Sequence, residues 1–352
     1  MSQRRRRWLR AFLKGAVACG LSAGLLWALV AGGRVEPGRL LTALEHPWWL
    51  ALAQLCFLAQ LFFTFVRWRC LLLAFHVPTS FADVIRLSWI GLLFSQVIPG
   101  ATGGDVVKGF YIAREAPTRR AAAVLSVILD RVIGVAGLMV LGLLALIVNA
   151  RQTLADPTLL RVAIGIGLLF SLVLAGGVIL SWESLWRHPR WRRFRERVLG
   201  RVPGHRIATS LMTALWELSA KRRTLLATTA ISVVAHTFGV LMNLCAARAL
   251  LGGDTPTAAH LFLLVPVGQL AAAIPLTPAG AGVGEAAYSL LFESVGQARG
   301  GDLMLLVRVS WIFWALIGIY FYVRGRKELE EVSRATEEEG NPADLTPLAR
   351  ER

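Results

Sequence analysis

Residues 121–148 read AAAVLSVILDRVIGVAGLMVLGLLALIV, an apolar run broken only by the adjacent charges Asp130 and Arg131. About 20 helical residues cross the roughly 30 Å hydrocarbon layer of a bilayer, so this run is long enough to span it. Lipid offers no partner for backbone N–H and C=O groups, which leaves helices and closed barrels as the only spanning forms. The run is continuous rather than alternating, which excludes a barrel strand. The fold class that follows is all-α, a polytopic membrane protein.

Further spans are expected on either side, at about 12–31, 48–66, 159–180, 224–251 and 302–323, making six with 121–148. The composition agrees: 55% of the 352 residues are hydrophobic and the mean hydropathy is +0.57. The start, RRRRWLRAFLK before Gly15 to Ala31, imitates a secretory signal. Without a convincing small-x-small cleavage site, and with further spans following, it reads instead as an uncleaved first helix. A net charge of +16 would suggest nucleic acid in a soluble chain, but no aromatic-basic sheet or recognition helix is available to carry that function. In a membrane protein the excess belongs to cytoplasmic loops, and it favours anionic lipid head groups. Arg4 to Arg7, Arg67 and Arg69, Arg114, Arg119 and Arg120, and Arg324 to Lys327 all fall on one side if six segments span. The connection 181–223 adds eleven Lys and Arg against Glu183, Glu196 and Glu217. Both termini are therefore expected in the cytoplasm of a cell inner (plasma) membrane protein. In that connection Trp191, Phe194 and Val198 share one face, as in a helix lying at the interface. The tail after the last span, 324–352, is polar and is expected to be disordered.

Two apolar stretches do not fit as spans. Ser88 to Ile112 reads SWIGLLFSQVIPGATGGDVVKGFYI, and Leu261 to Phe292 reads LFLLVPVGQLAAAIPLTPAGAGVGEAAYSLLF. Each has an apolar arm, an Ile-Pro, a Gly-rich break with an acid, and a second arm. Pro99 and Pro275 lie 176 residues apart, half the chain; Arg131 follows Pro99 by 32 residues and Arg308 follows Pro275 by 33. With their flanking spans these hairpins form the pattern of an inverted-topology repeat, about 48–180 and 224–323, within one transmembrane domain at 1–323. The hairpins are expected to re-enter from opposite faces, or to cross fully and bring the spans to eight.

Pro and Gly within such a hairpin free backbone groups that are tolerated at membrane depth only beside protein or a wet cavity. The second arm restarts after the break, so its positive helix end points inward and suits a phosphate. Gly103 and Gly104 on one side, and Gly280, Gly282 and Gly284 on the other, leave room for close approach; equally, they permit helix packing alone. Asp105 and Glu285 occupy corresponding positions at the helix restarts. A charge at the bilayer centre costs about 2.5–3.5 kcal/mol, so Asp130, Arg131 and Arg308 each need a partner. Neighbours on a helix point about 100° apart, so Asp130 and Arg131 do not serve each other. Asp105 is the expected partner of Arg131, and Glu285 that of Arg308. These pairs are either structural clips or the walls of a pocket in which Arg131, Arg308 and Lys108 hold an anionic head group. The candidate substrate-binding set is Pro99, Gly103, Gly104, Asp105, Lys108, Asp130, Arg131, Pro275, Thr277, Gly280, Gly282, Gly284, Glu285 and Arg308. The four cysteines form no C-x-x-C and the six histidines no H-x-x-x-H, so neither a metal nor another cofactor is expected.

Taken together, Ile98-Pro99-Gly100 running into Gly103-Gly104-Asp105, Asp130-Arg131-x-x-Gly134, and Ile274-Pro275-x-Thr277-Pro278-x-Gly280-x-Gly282-x-Gly284-Glu285 resemble a known family. It is the flippase-like membrane domain of lysylphosphatidylglycerol synthases, with its stand-alone relatives, and the resemblance covers nearly the whole chain. It implies an inner-membrane protein that moves a lipid, often one with a modified head group, between leaflets. Ser95-Gln96 and Lys108 stand where the family often has Asn before the Pro and Arg after the Asp, which bears on head-group preference. No acyltransferase-like domain is expected after residue 323, so the synthase activity is not carried over. Two other classes remain: an intramembrane lipid-modifying enzyme, for which no nucleophile or metal set is found, and a non-catalytic subunit of an envelope-lipid or glycolipid pathway. A homo-oligomer is left open, and no nucleic-acid partner is expected.

Overall fold

The computed structural model describes residues 3–98, 103–155, 221–274 and 277–325, with scattered helical positions between 157 and 175. The expected span at 159–180 lies largely outside these residues. So do the basic connection up to residue 220, the tail beyond 325, and Pro99, Gly100 and Pro275. The described residues form helices joined by short turns and loops, with no strand among them. The long helices are α1 (Gln3–Ala31), α2 (Pro47–Ala74), α5 (Arg120–Val148) and α7 (Arg222–Leu251). Shorter ones are α3 (Phe81–Val97), α4 (Gly103–Glu115), α6 (Ala150–Ala155), α8 (Ala258–Ala272) and α9 (Val283–Glu293). The last, α10, covers Gly300–Ala315 and continues past Leu316 to Gly325. Four described segments are long and apolar enough to cross a membrane: Pro47–Ala74, Arg120–Val148, Arg222–Asp254 and Gly300–Gly325. In α1 the apolar portion is Cys19–Ala31.

Local chemistry sets the helix starts. Ser80 Oγ accepts from the Asp83 amide at 3.1 Å while the Asp83 carboxylate accepts from the Ser80 amide at 3.3 Å, a capping box that opens α3. Pro47 opens α2, where a missing N–H costs nothing. Thr257 caps α8 by accepting from the His260 amide. One boundary departs from the sequence reading. Arg67 and Arg69 read as the loop after a span ending at 66, but α2 runs on to Ala74 and buries Arg67. The apolar run resumes after the arginines as CLLLAF (70–75), so the helix has no reason to stop at the charge.

α3 and α4 form an antiparallel hairpin. Arg86 pairs with Glu115 at its open end, and Gly91 and Ser95 meet Gly104 nearer the break. A Cβ on Gly104 would lie 2.0 Å from the Gly91 carbonyl oxygen, so only glycine permits this approach. α8 and α9 repeat the arrangement, with Gly268 against Tyr288 and Ala272 against both Gly280 and Gly284. At 1.5 Å per residue the arms of 17 and 13 residues, and of 15 and 11, measure about 16–26 Å, short of the hydrocarbon thickness.

Among the described residues two apolar clusters make up the core. One joins Ala43, Phe57, Leu146, Leu250, Leu261, Phe292 and Leu303. The other joins Trp68, Phe75, Leu87, Ile112, Ala123 and Ile133 at the opposite pole. Leu61 and Trp314 touch both clusters. Large apolar side chains such as Leu55, Phe62, Phe110, Ile147, Val309 and Phe313 are exposed on the outside, as a lipid solvent allows.

Candidate functional site

Between the two clusters lies a cavity of about 320 Å³, to which α2, α3, α4, α5, α7, α8 and α10 all contribute. Its floor is an ion cluster around Asp130. Arg67 Nε donates to Asp130 Oδ1 at 2.8 Å, and its Nη1 donates to Ser232 Oγ at 2.8 Å. Lys108 Nζ stands 3.8 Å from Asp130 Oδ2 and 3.6 Å from the centroid of the Trp68 ring. Both bases are buried, at 5% and 7% exposure. Trp68 is held in turn by its N–H, which donates to Ser126 Oγ at 3.1 Å. Gly134 makes room for this cluster, since a Cβ there would sit 3.3 Å from the Arg67 guanidinium.

One residue along α5, the geometry turns as helix periodicity requires. Arg131 points away from Asp130 and donates to Asp105 Oδ2 at 2.7 Å across to α4. The pair is partly open, with side chains 45% and 27% exposed. Asp105 and Lys108 lie three apart on α4, so one face of that helix presents an acid to Arg131 and a base to Asp130. Arg67, Lys108 and Arg131 set three cations against the two carboxylates of Asp105 and Asp130, and all five residues line the cavity.

The second hairpin builds a different object from a matching start. Glu285 is the third residue of α9, as Asp105 is of α4. It accepts from the Gly282 amide at 2.8 Å, capping its helix, and it pairs with Arg308, as the sequence led us to expect. Every nitrogen of Arg308 finds an acceptor: Nε and Nη2 on Glu285, Nη1 on the Ala279 carbonyl at 2.9 Å, and Nη2 also on the Gly280 carbonyl at 3.1 Å. The turn that aims those carbonyls uses positive φ at Ala279 (+48°), Gly280 (+69°) and Gly282 (+82°). Glu285 is 0% exposed, Arg308 is 5% exposed, and neither lines the cavity. The sequence expectation of one pocket shared by Arg131 and Arg308 therefore differs from this conformation, in which the cavity takes in Arg131 and Lys108 and leaves out Arg308. The physical reason is commitment and burial: four of the five N–H donors of Arg308 are taken by Glu285, Ala279 and Gly280, and the residue is only 5% exposed.

The remaining expected residues sit as follows. Gly103 and Gly104 are buried at the first hairpin's break, and Gly284 packs under Arg308 and Met304. Thr277 is fully buried, with its hydroxyl unbonded. Arg67, Trp68 and Ser232 were missed from the sequence; the one available signal was that the apolar run continues beyond Arg67. His236 also lines the cavity, with its Nε2 2.9 Å from the Gly134 carbonyl oxygen. Among the described residues no cluster of three or more His, Cys, Asp or Glu could hold a metal ion.

Comparison with known proteins agrees with the motifs. The family described as "Lysylphosphatidylglycerol synthase TM region" matches residues 15–321. A similar protein is "UPF0104 membrane protein PH1989" of Pyrococcus horikoshii, 27% identical over 288 residues, covering 75% of this chain and 83% of the relative. No solved structure matches the chain. The apolar helices, the charged cavity they enclose and a match running from 15 to 321 lead to one conclusion: this chain belongs to the family of the lysylphosphatidylglycerol synthase transmembrane region.

Proposed function

We propose that the protein is a lipid translocator of the inner membrane, taking an anionic or otherwise head-group-bearing lipid from one leaflet to the other. The observation that carries the reading is the excess of cations on the cavity wall. Arg67, Lys108 and Arg131 face Asp105 and Asp130, so with all five ionised the wall carries one positive charge. Charged groups at membrane depth are costly and by default mark a functional site, and a phosphate-bearing head group would supply the missing negative charge. The acyl chains would stay in the surrounding lipid.

The two hairpins are the moving parts in this reading, each dipping into the membrane from its own side as halves of an inverted repeat. Their short arms, their small-residue contacts and the acid–arginine pair behind each break support that assignment. Both termini lie in the cytoplasm. In support, the pole that carries Arg86, Arg119, Arg120, Lys221, Arg222 and Arg324 is strongly basic, with Asp83 and Glu115 as its acids among the described residues.

The test is leaflet exchange in proteoliposomes carrying fluorescent phospholipids or polyprenyl lipids, comparing wild type with Arg131→Ala and Glu285→Gln. Wild type is expected to speed exchange of an anionic lipid, and Arg131→Ala to slow it at least about tenfold, the effect of losing one charge-assisted contact. Absence of exchange for every lipid tried would remove the reading.

A further inference from the structure

Beyond the ions, the cavity wall holds a set of neutral polar groups without a partner among the described residues. The side-chain amides of Gln60 and Gln96 make no hydrogen bond among the described residues. Three further atoms of lining residues are buried without a partner: Ser88 Oγ, His236 Nδ1 and Trp311 Nε1. Ser88 as a whole is only 7% exposed. Buried polar atoms are nearly always satisfied, so three unpartnered ones on residues lining one cavity, beside two half-buried glutamine amides, point to a ligand that supplies the bonds.

Their chemistry narrows that ligand. The Trp311 N–H only donates. His236 Nε2 faces a carbonyl oxygen, so it carries the ring hydrogen and leaves Nδ1 as a bare acceptor. Glutamine amides and the serine hydroxyl do both. A phosphate only accepts and an ammonium only donates, so neither alone matches a mixed set; hydroxyl groups, which donate and accept, do. An ammonium would also need an uncommitted carboxylate. Asp130 is already shared by Arg67 and Lys108, and Asp105 is held by Arg131. At about 320 Å³ the cavity is at the small end of the roughly 300–1,000 Å³ usual for small-ligand sites, yet larger than a bare phosphate requires.

Resting on the translocator reading above, we infer that the cavity selects a phosphate head group extended by a neutral, hydroxyl-rich moiety, a glycerol or a sugar-like ring, over one that bears an amine. Arg131 and the Asp130 cluster take the phosphate; Gln60, Ser88, Gln96, His236 and Trp311 take the hydroxyls.

Binding of short-chain phosphatidylglycerol, phosphatidylinositol, phosphatidic acid and phosphatidylethanolamine to the detergent-solubilised full chain, followed by native mass spectrometry, tests this. The first two separate a glycerol from a ring as the hydroxyl source. At least one of them is expected to bind about tenfold more tightly than phosphatidic acid and phosphatidylethanolamine, as a few buried hydrogen bonds would give. That preference is expected to shrink to within about twofold in Gln96→Leu and in Gln60→Leu, either of which suffices should the other fold poorly. Phosphatidic acid binding as tightly as both hydroxylated lipids, or phosphatidylethanolamine matching them, overturns the inference and leaves the anion-binding cavity standing. Binding of none of the four overturns both.

Discussion

Replacing Asp130 with asparagine keeps the shape of the side chain and removes the one carboxylate, among the described residues, that Arg67 and Lys108 share. Arg67 would remain 5% exposed and Lys108 7% exposed, two like charges with no anion between them. Breaking a buried ion pair from one side costs about 3–5 kcal/mol in soluble proteins. Polar contacts inside membranes average nearer 0.6 kcal/mol, because the unfolded helices find other partners in the lipid. Here two cations are orphaned, but Arg67 keeps Ser232 at 2.8 Å and Lys108 keeps the Trp68 ring at 3.6 Å. The balance is a loss of about 2–4 kcal/mol, or about 5–10 °C in melting temperature. Thermal unfolding of the purified protein in detergent, followed by tryptophan fluorescence, would measure it. The diagnostic step is the double variant. Adding Lys108→Met to Asp130→Asn removes one orphaned charge, so the pair of substitutions should destabilise less than Asp130→Asn alone. If Asp130→Asn melted within about 1 °C of wild type, or the two effects simply added, the ion cluster would not be the stabilising unit described here.

The two acid–arginine pairs should separate by assay. Arg308→Ala strips Glu285 and two backbone carbonyls of their donor in a sealed site and should cost about 3–5 kcal/mol of stability, read as a large drop in melting temperature. Arg131→Ala, in a half-open pair, should cost less than about 1 kcal/mol yet weaken binding of an anionic lipid; equal melting losses for the two variants would contradict this asymmetry. Gly104→Ala drives a Cβ to 2.0 Å from the Gly91 carbonyl oxygen, so α3 and α4 must spread at about 1–3 kcal/mol, and an unchanged melting temperature would show that the hairpin is looser than described. Gly282→Ala, at φ +82° and with its new methyl 2.6 Å from Leu25 Cβ, should destabilise by at least about 1 kcal/mol, checked in the same melt.

Much of this architecture was legible in the sequence because a bilayer leaves little choice. A continuous run such as 121–148 can only be a helix, and helical phase alone separated the partners of Asp130 and Arg131. The pairs Asp105–Arg131 and Glu285–Arg308 could be read because both acids stand where a helix restarts after a glycine break. Arg67 escaped because an arginine after an aromatic run looks like the end of a span. Only the apolar stretch 70–75 beyond it says otherwise. Gln60 and Trp311 escaped for another reason: neutral polar residues scattered over α2 and α10 have no common period, and only tertiary packing brings them to one cavity. The sealing of Arg308 was equally hidden, since it depends on the carbonyls of Ala279 and Gly280 being turned by positive φ, and Ala279 is not a residue that advertises such a turn.

The central claim is that a lipid head group enters the cavity between the hairpins. A photoreactive residue at Val135, on the cavity wall, compared with one at Val309 on the exposed outer face, tests it directly with a phospholipid labelled in its head group. The account predicts head-group cross-links at position 135 that anionic lipid competes away and that Arg131→Ala abolishes, with none above background at 309. Equal labelling at both positions, unaffected by Arg131→Ala, would contradict it.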